Sequence, residues 1–354
     1  MTYSDLPSSL RYANDTMAGY HRETNGDAIV YSDENRKEVK DQKTLKRINE
    51  LVIPPMWQNV WICKYPKGYI QAVGRDAKDR KQYIYHQLWK EYISEVKYNK
   101  LVTFAKCLPQ IRKQVQKDLR KRKWTKEKVV ALAIRLMDEF FLRVGNKRYE
   151  KENGTYGLTT LRKKHLKEVK NGLVIKYKAK SGKFRELKVE HPILIKLLKQ
   201  CIELPGYEVF RFQSGNKFVP IDSQNINDYL RSITSQKISA KNFRTWGGTV
   251  STLKLTIKAQ ELCALNPRRN LQTALIGLVA SELNNTVAVC RKYYIHPVIL
   301  ENIVNNNSEQ LQKSLKRKSN SKWLSTEETM VIQLLKVHQV NNDLENTHTQ
   351  QINI

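Results

Sequence analysis

The sequence predicts an α+β protein of two domains, a small strand-rich N-terminal one and a larger, mostly helical one that carries a β-hairpin. Three observations predict it. Two short apolar runs, Val60 to Cys63 and Tyr69 to Val73, flank the turn residues Tyr65-Pro66-Lys67-Gly68, the layout of a hairpin. Beyond about residue 88 the pattern turns helical, most plainly at Val129, Ala133, Leu136, Met137, Phe140, Phe141 and Val144, which share one face at 3.6-residue spacing. Farther on, Gly172 to Ala179 alternates with period two, and Phe184 to Val189 returns after Lys180-Ser181-Gly182-Lys183, a second hairpin with Lys180 at its tip. The expected limits are 1–90 for the first domain, 91–304 for the second and 305–354 for a basic, polar tail.

At 354 residues, 40% of them apolar, the chain is long enough to bury a core in both domains. Lys and Arg number 63 against 34 Asp and Glu, a net charge of +29. Such an excess predicts a polyanionic partner, with nucleic acid first. An acidic membrane fits less well, because no basic amphipathic helix shows an exposed apolar face. The longest apolar run, Ala274 to Ala280, is too short to span a bilayer. The first residues lack the positive-then-apolar order of a signal peptide. Five cysteines (63, 107, 201, 263 and 290) contain no C-x-x-C, which predicts reduced thiols, no metal site and an intracellular protein, cytoplasmic or on the nucleoid.

Taken in order, Ile53-Pro54-Pro55-Met56-Trp57 is a turn into the first hairpin. Gly74-Arg75-Asp76 then leads through a cluster of cations to Gln82-Tyr83-Ile84-Tyr85. Tyr83 and Tyr85 share a strand face beside positive charge, which suits a groove contact with nucleic acid and equally suits two half-buried tyrosines after a solvated turn. Gln110 to Lys123 reads as a strongly basic, nearly single-signed helix suited to a phosphate backbone. Thr125 caps the next helix, expected to run to Gly145 with Arg143 in its last turn. Thr155 to Leu161 reads as a turn and short strand. Ile193 to Cys201 is a helix, and Ser239 caps Ala240 to Trp246, with Lys241 and Arg244 one turn apart. Leu271 to Leu283 is an apolar helix closing at Asn284-Asn285. The stretch Asn285 to Pro297 opens on another helix, expected to be buried at its start, and His296-Pro297 must end it. In the tail, Glu327 to Val337 is one plausible helix and residues 340–354 are expected to be disordered.

Four side chains at element ends or tips suit phosphodiester chemistry. A tyrosine, with a pKa of ~10, must lose its proton on attack. Arginine forks stabilise the charge that grows on phosphoryl oxygens. A departing sugar oxygen needs a general acid, a task for a lysine. Arg143, Lys180, Arg244 and Tyr294 offer these groups. Each has a plainer reading: a cation at a helix C-terminus, an exposed hairpin lysine, a surface arginine, an amphipathic ring at a helix end. No Walker-type loop is present, since Ser181-Gly182-Lys183 runs into Phe184 without the upstream glycine. The clustered carboxylates of a two-metal nuclease are missing as well.

The local contexts of these four, in this order, are specific together. Phe140-Phe141-Leu142-Arg143-Val144-Gly145-Asn146, Tyr177-Lys178-Ala179-Lys180-Ser181-Gly182, Lys241-Asn242-Phe243-Arg244-Thr245-Trp246-Gly247, and Asn285-Thr286 with Tyr294 nine residues after Asn285 closely resemble the poxvirus-like type IB DNA topoisomerases. Ile53 to Ile62 and Gly74 to Tyr83 resemble that family's DNA-clamping small domain, so the likeness runs over most of residues 20 to 300. The resemblance implies the catalytic fold shared by tyrosine recombinases and type IB topoisomerases. It implies that Tyr294 attacks one strand to form a 3′-phosphotyrosyl bond, that the duplex swivels, and that the freed 5′-hydroxyl reseals the strand. Arg143 and Arg244 would hold the scissile phosphate, and Lys180, in the minor groove, would protonate the leaving oxygen. Gln82, Tyr83, Tyr85 and Lys241 match DNA contacts. The implied enzyme is a monomer clamped on duplex DNA that needs no cofactor, metal or ATP. Asn285 stands where poxvirus and cellular members carry His and looks like the family's bacterial branch. It can still donate a hydrogen bond but cannot become cationic. The alternative is a tyrosine recombinase, which would usually place His where this chain has Lys241.

Overall fold

The computed structural model describes residues 6–25, 28–305 and 321–338. The expected disorder of residues 340–354 lies outside them. The architecture is α+β, in two compact units, residues 1–99 and 100–354.

The first unit is an antiparallel sheet of five strands: β1 (Gly19–Asn25), β2 (Ala28–Ser32), β3 (Gln58–Cys63), β4 (Ile70–Arg75) and β5 (Lys81–Tyr85). Their spatial order is β2-β1-β3-β4-β5. Alternation along β3 feeds two cores. Val60 and Ile62 pack with Ala72 and with Ile48 of helix α1 (Gln42–Glu50). Trp61 and Cys63 pack on the other face with Ala13, Ile70 and Val73, and Tyr65, Tyr69 and Tyr85 lie against that cluster. The predicted hairpin is β3-β4.

Helix α2 (Gln87–Leu119) is 33 residues long. It begins far upstream of the expected basic helix and stops four residues short of Lys123. The stop has a local cause. Lys121 turns back onto the end of the helix, its Nζ 2.8 Å from the buried Asp118 carboxylate, while its carbonyl accepts Lys128 Nζ at 2.6 Å. Arg112, expected on a phosphate-binding face, instead ion-pairs at 2.7 Å with both Asp138 and Glu328.

The second unit is built around helix α3 (Lys126–Phe140), whose residues 128–134, 136 and 137 are buried. Thr125 caps it, as expected. The helix ends at Phe140 rather than Gly145, because Phe141 takes a left-handed conformation (φ 52°, ψ 39°). After helix α4 (Lys147–Asn153), residues 158–160 form a single 3-10 turn where a short strand was expected. A three-stranded antiparallel sheet follows: β6 (Leu166–Val169), β7 (Gly172–Lys178) and β8 (Phe184–Val189), in the order β6-β7-β8. The predicted hairpin is β7-β8. Next come α5 (Pro192–Glu203), the two-stranded β9 (Arg211–Ser214) and β10 (Lys217–Pro220), and α6 (Ser223–Thr234). Helices α7 (Ala240–Lys254), α8 (Thr256–Ala264), α9 (Leu271–Glu282), α10 (Val287–Tyr293) and α11 (Pro297–Asn305) complete the unit with a last helix, α12, over 326–338. Helix α7 runs two turns past Trp246, where its expected span ended. The start of α10 is not buried as expected: Val287 and Val289 are exposed, and Cys290 is the buried residue of that helix.

Candidate active site

Four chain segments meet at the ends of α3 and α9, and local sequence explains how each arrives there. Helix α9 is capped by Asn270 and closes in a Schellman motif. The Asn284 N–H bonds Ser281 O at 3.0 Å, and the Asn285 N–H reaches back to Ala280 O at 2.9 Å. Asn284 sits at φ 48°, a left-handed position that asparagine tolerates better than most residues. Thr286 then caps α10 through its hydroxyl, which accepts the Val289 N–H at 3.3 Å. Two turns later the helix ends on Tyr294. The turn chemistry of Asn-Asn-Thr thus places Asn285 at one end of a short helix and Tyr294 at the other.

Arg143 lies outside α3, in a stretch without regular structure, not in a last helical turn. Leu158 N donates to Arg143 O at 2.8 Å, and Thr159 N donates to Val144 O at 2.6 Å, which fix the stretch from the side. The Arg143 guanidinium donates through Nη2 to Asn284 O at 3.3 Å and to Asn285 Oδ1. Arg244, on α7, is 3% exposed, which removes the reading of a surface cation. Its two terminal nitrogens donate to Phe141 O and, at 2.9 Å, to Leu283 O. Its Cζ lies 5.0 Å from the centre of the Tyr294 ring. Close backbone approach at α7 makes this possible. A Cβ on Gly247 would stand 2.2 Å from the Phe141 ring, and one on Gly248 would stand 2.7 Å from Tyr294 O.

The electrostatics are those of an anion site. Burial, and next the like charge of Arg244, hold the Arg143 guanidinium down to about 10, still cationic at neutral pH. Burial alone would push the Tyr294 phenol up, but the positive charge of Arg244, with that of Arg143 and Lys241, brings it below its ordinary value. Three buried donors there have no hydrogen-bond partner: Arg244 Nε, Asn284 Nδ2 and Asn285 Nδ2. Buried polar groups are rarely left so. Two neighbouring guanidiniums and three orphaned N–H donors suit a group with several anionic oxygens.

Lys180 stands in the exposed turn between β7 and β8, where Ser181 is left-handed at φ 66°. Tyr156 N bonds Lys178 O at 2.8 Å, and two residues farther Leu158 N holds Arg143, so one short segment ties the hairpin to the arginine. Lys241 is exposed in the first turn of α7, opposite in burial to Arg244 although only three residues away. In the first unit, Tyr83 (42% exposed) stacks on Tyr85 with ring centres 5.8 Å apart, and Lys81 Nζ lies 5.8 Å from the Tyr83 ring. The Gln82 amide donates to Asp76 Oδ2 at 2.9 Å.

Comparison with known proteins agrees with this geometry. The family profile described as eukaryotic DNA topoisomerase I, catalytic core, matches residues 87–322, more than half of the chain. The bacterial DNA topoisomerase IB N-terminal domain matches residues 29–76. The chain belongs to the type IB DNA topoisomerases. It is 29% identical to the DNA topoisomerase 1B of Acanthamoeba polyphaga mimivirus, over 82% of this chain and 89% of that one. It is 24% identical to the DNA topoisomerase 1B of Vaccinia virus (strain Copenhagen), over 66% and 73%. The DNA topoisomerase 1 of Mycosarcoma maydis is 28% identical over 62% of this chain, which spans 23% of that longer protein.

In this type IB topoisomerase, then, the structure gathers Arg143, Arg244, Asn285 and Tyr294 at one place, with Lys180 on the hairpin joined to it. Sequence reading missed Asn284 and Arg185. Asn284 was readable as a helix terminator but not as a buried donor. Arg185 did leave a signal, since with Leu187 and Val189 it falls on the inward face of an alternating strand, an unusual place for an arginine.

Proposed function

We propose that Tyr294 is the nucleophile of this topoisomerase. Its phenolate oxygen forms a bond to the scissile phosphorus, the bond from phosphorus to the 5′-oxygen breaks, and the strand is left as a 3′-phosphotyrosyl ester. Arg143 and Arg244 hold the non-bridging oxygens, with Asn285 Nδ2 as a neutral donor beside them. The phenol proton passes to solvent, and Lys180 delivers a proton to the departing 5′-oxygen. After the duplex swivels, the 5′-hydroxyl attacks the same phosphorus, returns its proton to Lys180 and expels Tyr294, so bond energy is conserved in the ester. The protein would work as a monomer closed on duplex DNA, with Tyr83, Tyr85 and Gln82 of the first unit at the groove and Lys241 at the backbone.

The single observation that carries this reading is the Tyr294 ring set 5.0 Å from the buried Arg244 guanidinium, beside buried donors that lack acceptors. Tyr294→Phe tests it. That variant should bind duplex DNA as the parent does, form no covalent adduct and leave a supercoiled plasmid unrelaxed. Relaxation by Tyr294→Phe would move the nucleophile elsewhere, with the neighbouring Tyr293 as the first candidate, and peptide mapping of the adduct would show where.

A further inference from the structure

Arg185 has no part in the chemistry above, yet it is 9% exposed and its position is elaborate. It lies directly across the hairpin from Tyr177, itself buried, five residues from Lys180. From β8 its guanidinium leaves the sheet and donates through Nη2 to Phe140 O at 2.6 Å and through Nη1 to Glu282 O at 3.1 Å. Those are the last residues of α3 and α9. Arg244 makes the same bridge one residue farther along, from Phe141 O to Leu283 O. Two arginines therefore tie the same two helix ends together. Arg244 comes from α7, and Arg185 comes from the hairpin.

Placing a second guanidinium there is costly. Burial and the like charge of Arg244 both disfavour its ionised form, although Tyr177 and Glu282 offset part of this. Closing helix ends needs no such device, since a cation at a helix C-terminus contributes only ~0.3–1 kcal/mol and water serves the last carbonyls otherwise. What Arg185 adds is a mechanical link. The turn that holds Lys180 is exposed, and Phe184 beside it is 69% exposed, so the tip has little packing of its own. Its anchors are the buried Tyr177, Ala179 and Arg185, with Lys178 O held by Tyr156 N, and it is Arg185 that donates to the carbonyls of both helix ends.

We propose that Arg185 is a positioning residue for strand cleavage: it registers the Lys180 hairpin against the helix ends that present Arg143 and Asn285. The inference rests on Lys180 being the general acid, as assigned above. A group held loosely by about an ångström loses on the order of 10²-fold in rate, and the loss should fall on proton delivery to the 5′-oxygen.

The test is single-turnover adduct formation at saturating DNA, with an ordinary duplex and with one carrying a 5′-bridging phosphorothiolate, whose sulfur leaves without protonation. Arg185→Met should slow cleavage of the ordinary strand ~10²-fold with the duplex Kd unchanged, and the phosphorothiolate should restore most of the rate. Lys180→Ala, run alongside, should be restored in the same way. Restoration of Lys180→Ala but not of Arg185→Met would overturn the inference and leave the acid assignment standing. Failure to restore either would remove Lys180 as the acid and the inference with it. An Arg185→Met that cleaves the ordinary strand at the parent rate would also overturn it. Should Arg185→Met fold poorly, Arg185→Lys keeps the charge and one donor, and the same substrate dependence is expected of its smaller defect.

Discussion

Tyr294 shows how one residue's chemistry is set by opposing influences. Burial favours the neutral phenol, while Arg244, Arg143 and Lys241 favour the phenolate, and the cations prevail. At any pH below the ordinary tyrosine value of ~10 the phenolate fraction therefore exceeds that of a free tyrosine. Adduct formation should rise with pH through the alkaline range and level off with a midpoint below ~10. Lys241 is exposed and makes the smallest of these contributions, so Lys241→Gln should move the midpoint upward without abolishing cleavage. A pH–rate profile reads this directly, and an unmoved or lowered midpoint would show that Lys241 does not bear on the phenol. Asn285 adds no titration of its own, being neutral throughout. At this scale the sequence showed which residue types meet but not their setting. Arg143, Arg244 and Tyr294 were legible from order and spacing, whereas the burial of Arg244 was not. Three residues separate it from exposed Lys241, and only the packing of α7 decides which of the two points inward.

The end of helix α9 was legible because its own turn residues make it, and the end of helix α3 was not, because a distant contact does. Helix α9 closes at Asn284-Asn285 because those residues make their own Schellman turn. Helix α3 gives no such warning. Its apolar spacing continues through Phe141 and Val144, yet the chain breaks at Phe141, a bulky residue with positive φ and so a strained one. What holds it lies a hundred residues away: its ring packs on bare Gly247 and its carbonyl accepts Arg244 Nη1. That break turns Arg143 out of the helix and toward Asn285. Gly247→Ala would force the Phe141 ring away, since the new Cβ would meet it at 2.2 Å. Overpacking of this kind costs ~1–3 kcal/mol, so the denaturation midpoint should fall. Because Phe141 also anchors Arg244, adduct formation should slow by more than duplex binding weakens. Equal losses in both would mean that the left-handed break only stabilises the fold.

Across the second unit, residues 321–338 read as part of an appendage in the sequence and prove to be part of the framework. A helix near Glu327 to Val337 was legible in the sequence; its partners were not, because they come from two distant helices. Glu328 is 6% exposed. It ion-pairs with Arg112 of α2 at 2.7 Å and accepts the Trp246 Nε1–H of α7 at 2.9 Å, while Arg112 also pairs with Asp138 of α3. Trp246 is two residues from Arg244, so α12 braces the helix that carries Arg244. Burial disfavours the Glu328 carboxylate, but the hydrogen bonds and charge of Arg112, helped by Ser325 and Trp246, hold its pKa below the ordinary value. A carboxyl whose pKa is depressed by folding contributes stability that is complete above its unfolded value of ~4.3 and is lost as pH falls through the folded value. Glu328→Gln keeps the shape and loses the charge, leaving Arg112 with one carboxylate. Its stability at neutral pH should drop by ~1–3 kcal/mol, and its denaturation midpoint should depend less on pH than the parent's in the acid range below ~4.3. Parallel acid dependence in parent and variant would place the titrating carboxylate elsewhere and reduce α12 to packing alone.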